Sequence, residues 1–310
     1  MVLVRNVYFN HDGNVDDLVS LVLLLRMPNV NLLGVGVINA DGFIDEAVSA
    51  SCKITDLIGN HDGLEIAASN SRPVNQFPNN WRLSSISFDA LPILNEHGAP
   101  RTKKASKPAH LDMIEKINAA DAPTTLVMTG PLTDLARALE VDPTITNKID
   151  KLYWMGGTMN NKGNVFEPNR DGTAEWNAYW DPEAVQTVFD SDLSIQMIGL
   201  ESTDQVPLTA EVRQHFAENR RYPLYDLIGQ GYAMIMSYEA DSTYYLWDVL
   251  TTMASNYPEL VTTKSVSGKV ITDGPAQGRT YEDPNGRPIT LVTHVDGPSF
   301  YRQIDELIMK

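Results

Sequence analysis

Cysteine is nearly absent. Cys52 stands alone among 310 residues, so no internal disulfide can form and the fold must be held by packing. Set in an apolar stretch, Cys52 reads as an inert core thiol. Basic residues are scarce as well: 24 Lys and Arg face 40 Asp and Glu, a formal net charge of −16. A nucleic-acid backbone needs clustered Lys and Arg, so this balance excludes it as a partner and leaves a compact neutral or cationic ligand. No apolar run reaches the roughly 18 residues of a membrane span, and the first residues lack the basic, apolar and small-residue progression of a secretory signal. The expectation is a soluble, cytoplasmic protein with no membrane partner.

Acid, by contrast, is concentrated. Between Tyr8 and Ser20 the chain reads Tyr-Phe-Asn-His-Asp-Gly-Asn-Val-Asp-Asp-Leu-Val-Ser, which places Asp12, Asn14, Asp16 and Asp17 within six residues. An apolar run precedes them and a longer one follows, the pattern of a strand, a tight acidic turn and a helix. Carboxylates about 4 Å apart repel by several kcal/mol unless solvated or neutralised. Two readings fit. A hard cation such as Ca²⁺ or Mg²⁺ neutralises such an oxygen-only cluster, in which His11 is the sole zinc-type neighbour. Alternatively, Asp16 or Asp17 caps the following helix. An EF-hand fits poorly, because Leu23 stands where that loop needs its bidentate Glu.

The same alternation continues downstream. Residues 18–27 read as a helix stopped by Pro28, residues 30–39 as a strand that ends on Asp41, and residues 44–58 as a second helix. Residues 64–100 are rich in Asn, Pro and Ser and read mainly as loop, with Trp81 carried on irregular backbone as a lid or a packing plug. A β-branched run ends at Thr129-Gly-Pro131, and another apolar strand, 149–155, is broken by Gly156-Gly157. Asp181-Pro182 opens a helix, Asp as N-cap and Pro at the first position. Residues 193–200 form a further strand, and helices dominate 209–253. From residue 266 strands alternate across Asp273-Gly and Asn285-Gly turns. A closing helix places Phe300, Ile304, Leu307 and Ile308 on one face.

Repeated strand–helix units predict an α/β fold: an open, mostly parallel, Rossmann-like sheet with helices on both faces and a small antiparallel appendage near the C-terminus. No composition shift or repeat divides residues 1–310, which are taken as one domain. In such sheets ligands bind beyond the carboxyl ends of the strands, and Asp12 to Asp17, Asp41, Thr129 and the loop after Met155 all lie there.

These motifs resemble the nucleoside hydrolase family, specifically its purine-preferring members. The likeness runs almost from end to end. It rests on Asp12-Gly-Asn-Val-Asp-Asp17, Ala40-Asp41, Phe77-Pro with Trp81, Thr129-Gly-Pro-Leu, Met155-Gly-Gly, Gly163-Asn-Val-Phe, Asp171-Gly-Thr-Ala-Glu-Trp-Asn177 and Trp247-Asp248. The resemblance implies an octahedral-like or eight-coordinate Ca²⁺ held by Asp12, Asp17 and Asp248 and by the backbone carbonyl of Thr129. It implies ribose hydroxyls held by Asn14, Asp16, Asn164, Glu175 and Asn177, with Asp41 near the sugar–base junction, and a homodimer.

The expected reaction is hydrolysis of the N-glycosidic bond of purine ribonucleosides. Asp12 would act as general base, and Trp81 and Trp247 would stack on the purine. Members that accept pyrimidines resemble a pattern with His before the last Asp ligand, and here that residue is Trp247. Purine-preferring members can carry a basic residue a few positions before Tyr244-Tyr245, whereas residues 237–243 here offer Glu239 and Asp241. Two alternatives stand beside this expectation: a broad-specificity or pyrimidine hydrolase, and a catalytically weak nucleoside-binding protein.

Overall fold

The computed structural model describes residues 4–61, 63–235 and 243–309. Ten strands form one sheet: β1 (Arg5–His11), β2 (Val30–Val37), β3 (Glu65–Ala68), β4 (Lys103–Lys104), β5 (Thr124–Met128), β6 (Ile149–Met155), β7 (Ile195–Ile198), β8 (Val261–Val270), β9 (Thr280–Glu282) and β10 (Arg287–Val295). Their order is β4-β3-β2-β1-β5-β6-β7-β10-β8-β9. Every neighbouring pair from β4 to β10 is parallel, and β10–β8 and β8–β9 are antiparallel.

Strand β1 lies at the centre and is buried on both faces, which explains why it reads as a continuous apolar run. Val7 and Phe9 enter one hydrophobic cluster, together with the helices Val15–Arg26 and Trp247–Asn256; Tyr8 enters another on the opposite face. The closing helix, Gly297–Ile308, buries Phe300, Ile304, Leu307 and Ile308 against the first cluster, on the face its periodicity predicts.

The expected antiparallel strands near the C-terminus are present as β8, β9 and β10, and β10 joins them to the main sheet beside β7, with Thr290 opposite Gln196 and Leu291 opposite Met197. Two expectations change. Residues 64–100 are not unbroken loop: they contain β3 and the helix Asn79–Asp89. Trp81 therefore sits in the first turn of a helix rather than on irregular backbone. The segment that holds Glu239 and Asp241 lies outside the described residues.

Candidate active site

Three central strands end side by side, and the residues just beyond them gather in the same place. Asp12 follows β1, Thr129 follows β5, and Asp41 lies four residues beyond β2. The two acidic turns interlock through their glycines. The Gly42 N–H donates to the Asp12 carbonyl at 2.7 Å, and a Cβ on Gly42 would stand 2.6 Å from the Gly13 oxygen. Gly13 itself adopts φ +86°, and a Cβ there would meet the Ala47 methyl at 2.3 Å. Only glycine fits, on conformation and on space alike.

Past Gly13 the chain enters the helix Val15–Arg26 through a reciprocal capping box: Asn14 caps the helix, and the Asn14 N–H donates to Asp17 Oδ2 at 2.9 Å. The cap expected at Asp16 or Asp17 falls instead on Asn14, with Asp17 at the third helical position completing the box. Asp17 Oδ1 accepts the Thr129 hydroxyl at 2.6 Å. Asp16 accepts the Tyr244 hydroxyl at 2.6 Å and the Asp248 N–H at 3.1 Å. The last contact brings the first turn of the helix Trp247–Asn256 against the first turn of Val15–Arg26, although the two segments are 232 residues apart.

Among the described residues, Asp16, Asp17 and Asp248 offer carboxylate oxygens that all lie within 4.8 Å of one another, and all three are buried. Burial pushes each of their pKa values up from the ordinary carboxylate range, and that of Asp17 to about 7. For Asp248 the neighbouring Asp16, Asp17 and Asp12 push further in the same direction. Two unit charges about 4 Å apart repel by about 4 kcal/mol at an effective dielectric of about 20. A helix N-terminus returns about 0.3–2 kcal/mol. The helix ends therefore do not offset the repulsion, and protons or a cation must supply the difference. An all-oxygen, acid-rich, buried donor set fits a hard divalent cation.

Asp12 stands beside this trio rather than within it. It is hydrogen-bonded to Asp17 through its side chain, and its Oδ2 accepts the Asp41 N–H at 3.2 Å. Burial, then the Asp17 charge, raises its pKa well above the carboxylate range. Of the expected ligands Asp12, Asp17 and Asp248, the fold thus brings Asp17 and Asp248 into the tightest group, with Asp16 as the third member. The Thr129 carbonyl accepts Asn177 Nδ2 at 3.1 Å.

The residues expected to hold ribose line the same region. Asn14 Nδ2 donates to Asp41, whose pKa burial lifts to about 7 and whose Oδ1 is buried without a protein partner. Asn177 Oδ1 is likewise buried and unpartnered. Neither oxygen has a partner among the described residues, and buried polar atoms are nearly always satisfied, so both are open to a ligand. Glu175 is the N-cap of the short helix Trp176–Trp180 and accepts the Gly157, Asn177 and Ala178 N–H groups at 2.7, 2.9 and 3.2 Å. Burial raises its pKa to about 7. Asn164 is half-buried and accepts the Trp176 N–H through Oδ1 at 3.2 Å.

The two tryptophans belong to different aromatic groups. Trp81 packs edge-on against Trp176 at 5.3 Å and against Phe77 at 6.4 Å, while Trp247 packs edge-on against Tyr244 at 4.6 Å and Tyr245 at 5.7 Å. Both are half-buried. His11, the one histidine in the acidic motif, is buried, stacks on Phe9 and bonds Ser51 through Nε2. Desolvation lowers its pKa to about 3, so it stays neutral. Sequence reasoning misses Arg82, Ser84 and Ser85, which bind the acidic turns from the helix Asn79–Asp89. The available signal was faint: a Pro78 entry followed by Arg82, Ser85 and Phe88 at a spacing of three.

Comparison with known proteins decides the family, since the model of the inosine-uridine preferring nucleoside hydrolases matches residues 7–302. The chain belongs to this family. It is a nucleoside hydrolase of mostly parallel α/β fold. A crystal structure titled inosine-uridine preferring nucleoside hydrolase from Bacillus anthracis is 51% identical, covers 98% of this chain and 99% of its own, and superposes with a TM-score of 0.94. The probable uridine nucleosidase 1 of Oryza sativa subsp. japonica is 25% identical over 96% of this chain and 94% of its own length. The purine-preferring ribonucleoside hydrolase from Gardnerella vaginalis, 24% identical with a TM-score of 0.82, covers 98% of each chain and shares the fold.

Proposed function

We propose that this nucleoside hydrolase acts on purine ribonucleosides, with Ca²⁺ as its resident cation, and releases free base and ribose. The observation that carries the reading is Trp247 immediately before Asp248. The residue next to the cation site is an aromatic surface hemmed by Tyr244 and Tyr245, not a histidine that could hand a proton to a small base. Trp81, on a separate helix, supplies the second aromatic surface, and a bicyclic purine stacked on both is favoured over a pyrimidine by its larger face.

In this reading Asp17 and Asp248 hold the ion, with Asp12 and the Thr129 carbonyl, and Asp16 beside them. When bound, a hard cation orients vicinal hydroxyls and acidifies water. The protein does the rest. Asn14, Asp16, Asn164, Glu175 and Asn177 hold the ribose hydroxyls, and losing either hydroxyl leaves buried partners unsatisfied, which disfavours deoxyribose. Asp12 takes the proton of the attacking water as its oxygen bonds to C1′ and the C1′–N bond breaks. The electron pair leaves on a purine that takes a proton from solvent and is stabilised, as it gains that proton, by stacking on Trp81 and Trp247. Asp41, near the junction, and the other carboxylates stabilise the positive charge that develops on the sugar.

A second reading, a broad or uridine-directed specificity, is favoured by the names of relatives: the rice protein is called a probable uridine nucleosidase and the Bacillus structure an inosine-uridine preferring hydrolase. A substrate panel separates them. Reducing-sugar release from inosine, guanosine and adenosine should exceed that from uridine, stop on chelation and return with Ca²⁺. Uridine turned over faster than inosine would replace the purine assignment by the second reading.

A further inference from the structure

The helix Asn79–Asp89 presents four consecutive kinds of contact to the site. Trp81 stands at its first turn. Arg82, buried, donates through Nη2 to Asn39 Oδ1 at 2.6 Å and to the Gly42 carbonyl at 3.3 Å, and lies over the Phe43 ring at 4.3 Å. Ser85 Oγ accepts the Phe43 N–H at 2.9 Å. Ser84 Oγ lies 2.7 Å from Asn14 Oδ1 and 2.9 Å from the Trp81 carbonyl, so its one proton is shared between these two acceptors. Arg82 and Ser85 thus seat the helix on the turn that carries Asp41, while Ser84 alone reaches across to Asn14.

That reach fixes an orientation. Asn14 Oδ1 accepts from Ser84 and from its neighbour Val15 N–H at 2.7 Å, so the amide nitrogen must point the other way, toward Asp41, and Nδ2 donates to that carboxylate. An amide is nearly symmetric in shape, and only its partners decide which end faces a ligand. A flipped amide would set its carbonyl against the Asp41 carboxylate and lose the Val15 N–H, and the Ser84 hydroxyl adds a further donor that opposes the flip. We infer that Ser84 is a positioning residue for the reaction: it holds Asn14 with its amide donor turned to Asp41 and the sugar, and so couples the helix of Trp81, which meets the base, to the residues that meet the ribose. This rests on the proposed ribose-binding role of Asn14.

The experiment is a double-mutant cycle over Ser84→Ala and Asn14→Ala, with Ser84→Thr as the variant that keeps the hydroxyl, read as kcat/KM on inosine and on p-nitrophenyl riboside. Ser84→Ala should lower both substrates alike, by about three- to tenfold, because the loss falls on the sugar half they share. Ser84→Thr should recover most of that loss, and in the Asn14→Ala background Ser84→Ala should cost less than about twofold. A purely structural serine would lower the melting temperature in both backgrounds and show no kinetic coupling. A crippled Asn14→Ala beside an unaffected Ser84→Ala, or an equal Ser84→Ala loss in both backgrounds, would overturn this inference alone. An Asn14→Ala variant within about twofold of the parent on both substrates would overturn the ribose assignment and this inference together.

Discussion

Removing the cation should make the protein less stable, and more so at alkaline pH. Burial raises Asp17 and Asp41 from the ordinary 3.8 to about 7, and Glu175 from 4.5 to about 7. The unfolded chain releases these protons near pH 4, whereas the folded, cation-free chain keeps them until about pH 7. Between those limits the native state binds more protons than the unfolded state, so stability falls as pH rises, by up to about 1.4 kcal/mol per unit for each group. The stability is complete below about pH 4 and its loss is complete above about pH 7. A cation reverses the part of the loss that falls on Asp17 by binding its ionised carboxylate in the native state. At a hundred times its dissociation constant it contributes about 2.7 kcal/mol, which for a chain of this length corresponds to a rise in melting temperature of about 4 °C. The assay is thermal unfolding of chelator-treated protein at pH 5 and pH 8, with and without added Ca²⁺. The expected result is a lower melting temperature at pH 8 without the ion and a larger Ca²⁺-induced rise at pH 8 than at pH 5. No rise at pH 8, or a rise that is larger at pH 5, would refute the reasoning that Asp17, with Asp248 and Asp16, forms an ion site.

Other perturbations test separate parts of the account. Asp12→Ala should lower kcat on inosine by several orders of magnitude, and a loss below about tenfold, or roughly 1.4 kcal/mol, would assign the base elsewhere. Trp247→Ala should cost about 1–3 kcal/mol in kcat/KM on inosine, yet far less on p-nitrophenyl riboside, whose leaving group needs no protonation; equal losses would count against stacking as activation. Gly13→Ala should abolish activity and lower the melting temperature, since it forces a side chain into a φ of +86° and against the Ala47 methyl; a fully active, equally stable variant would show that the interlocked turns are dispensable.

What the sequence made legible follows from how each element is stabilised. Strands β1 and β5 and the second half of β2 are buried, so they read as largely apolar runs, and Asp12 just after β1, Asp41 four residues after β2 and Thr129 just after β5 mark the site. Asp181-Pro182 is legible because capping is a local interaction: the Asp181 side chain accepts the Ala184 N–H at 3.1 Å. The helix Asn79–Asp89 is not legible, because its buried face is Arg82, Ser85 and Phe88 and it has no side-chain cap. Polar residues that bond to distant turns leave no hydrophobic period to count. Nor could local pattern show that β10 joins β7, a pairing made with residues about ninety positions away. Asp16 in the tightest acidic trio depends on Asp248 arriving from the far end of the chain, a contact that no spacing within the first turn encodes.

The most direct test is a crystal structure of the protein grown with Ca²⁺ and a ribonucleoside analogue. The account predicts one ion between Asp17 and Asp248, in contact with the vicinal hydroxyls of the sugar, with Asp12 close by and the base against Trp247. Asp248 turned away from Asp12 and Asp17, with no ion between them, would contradict it.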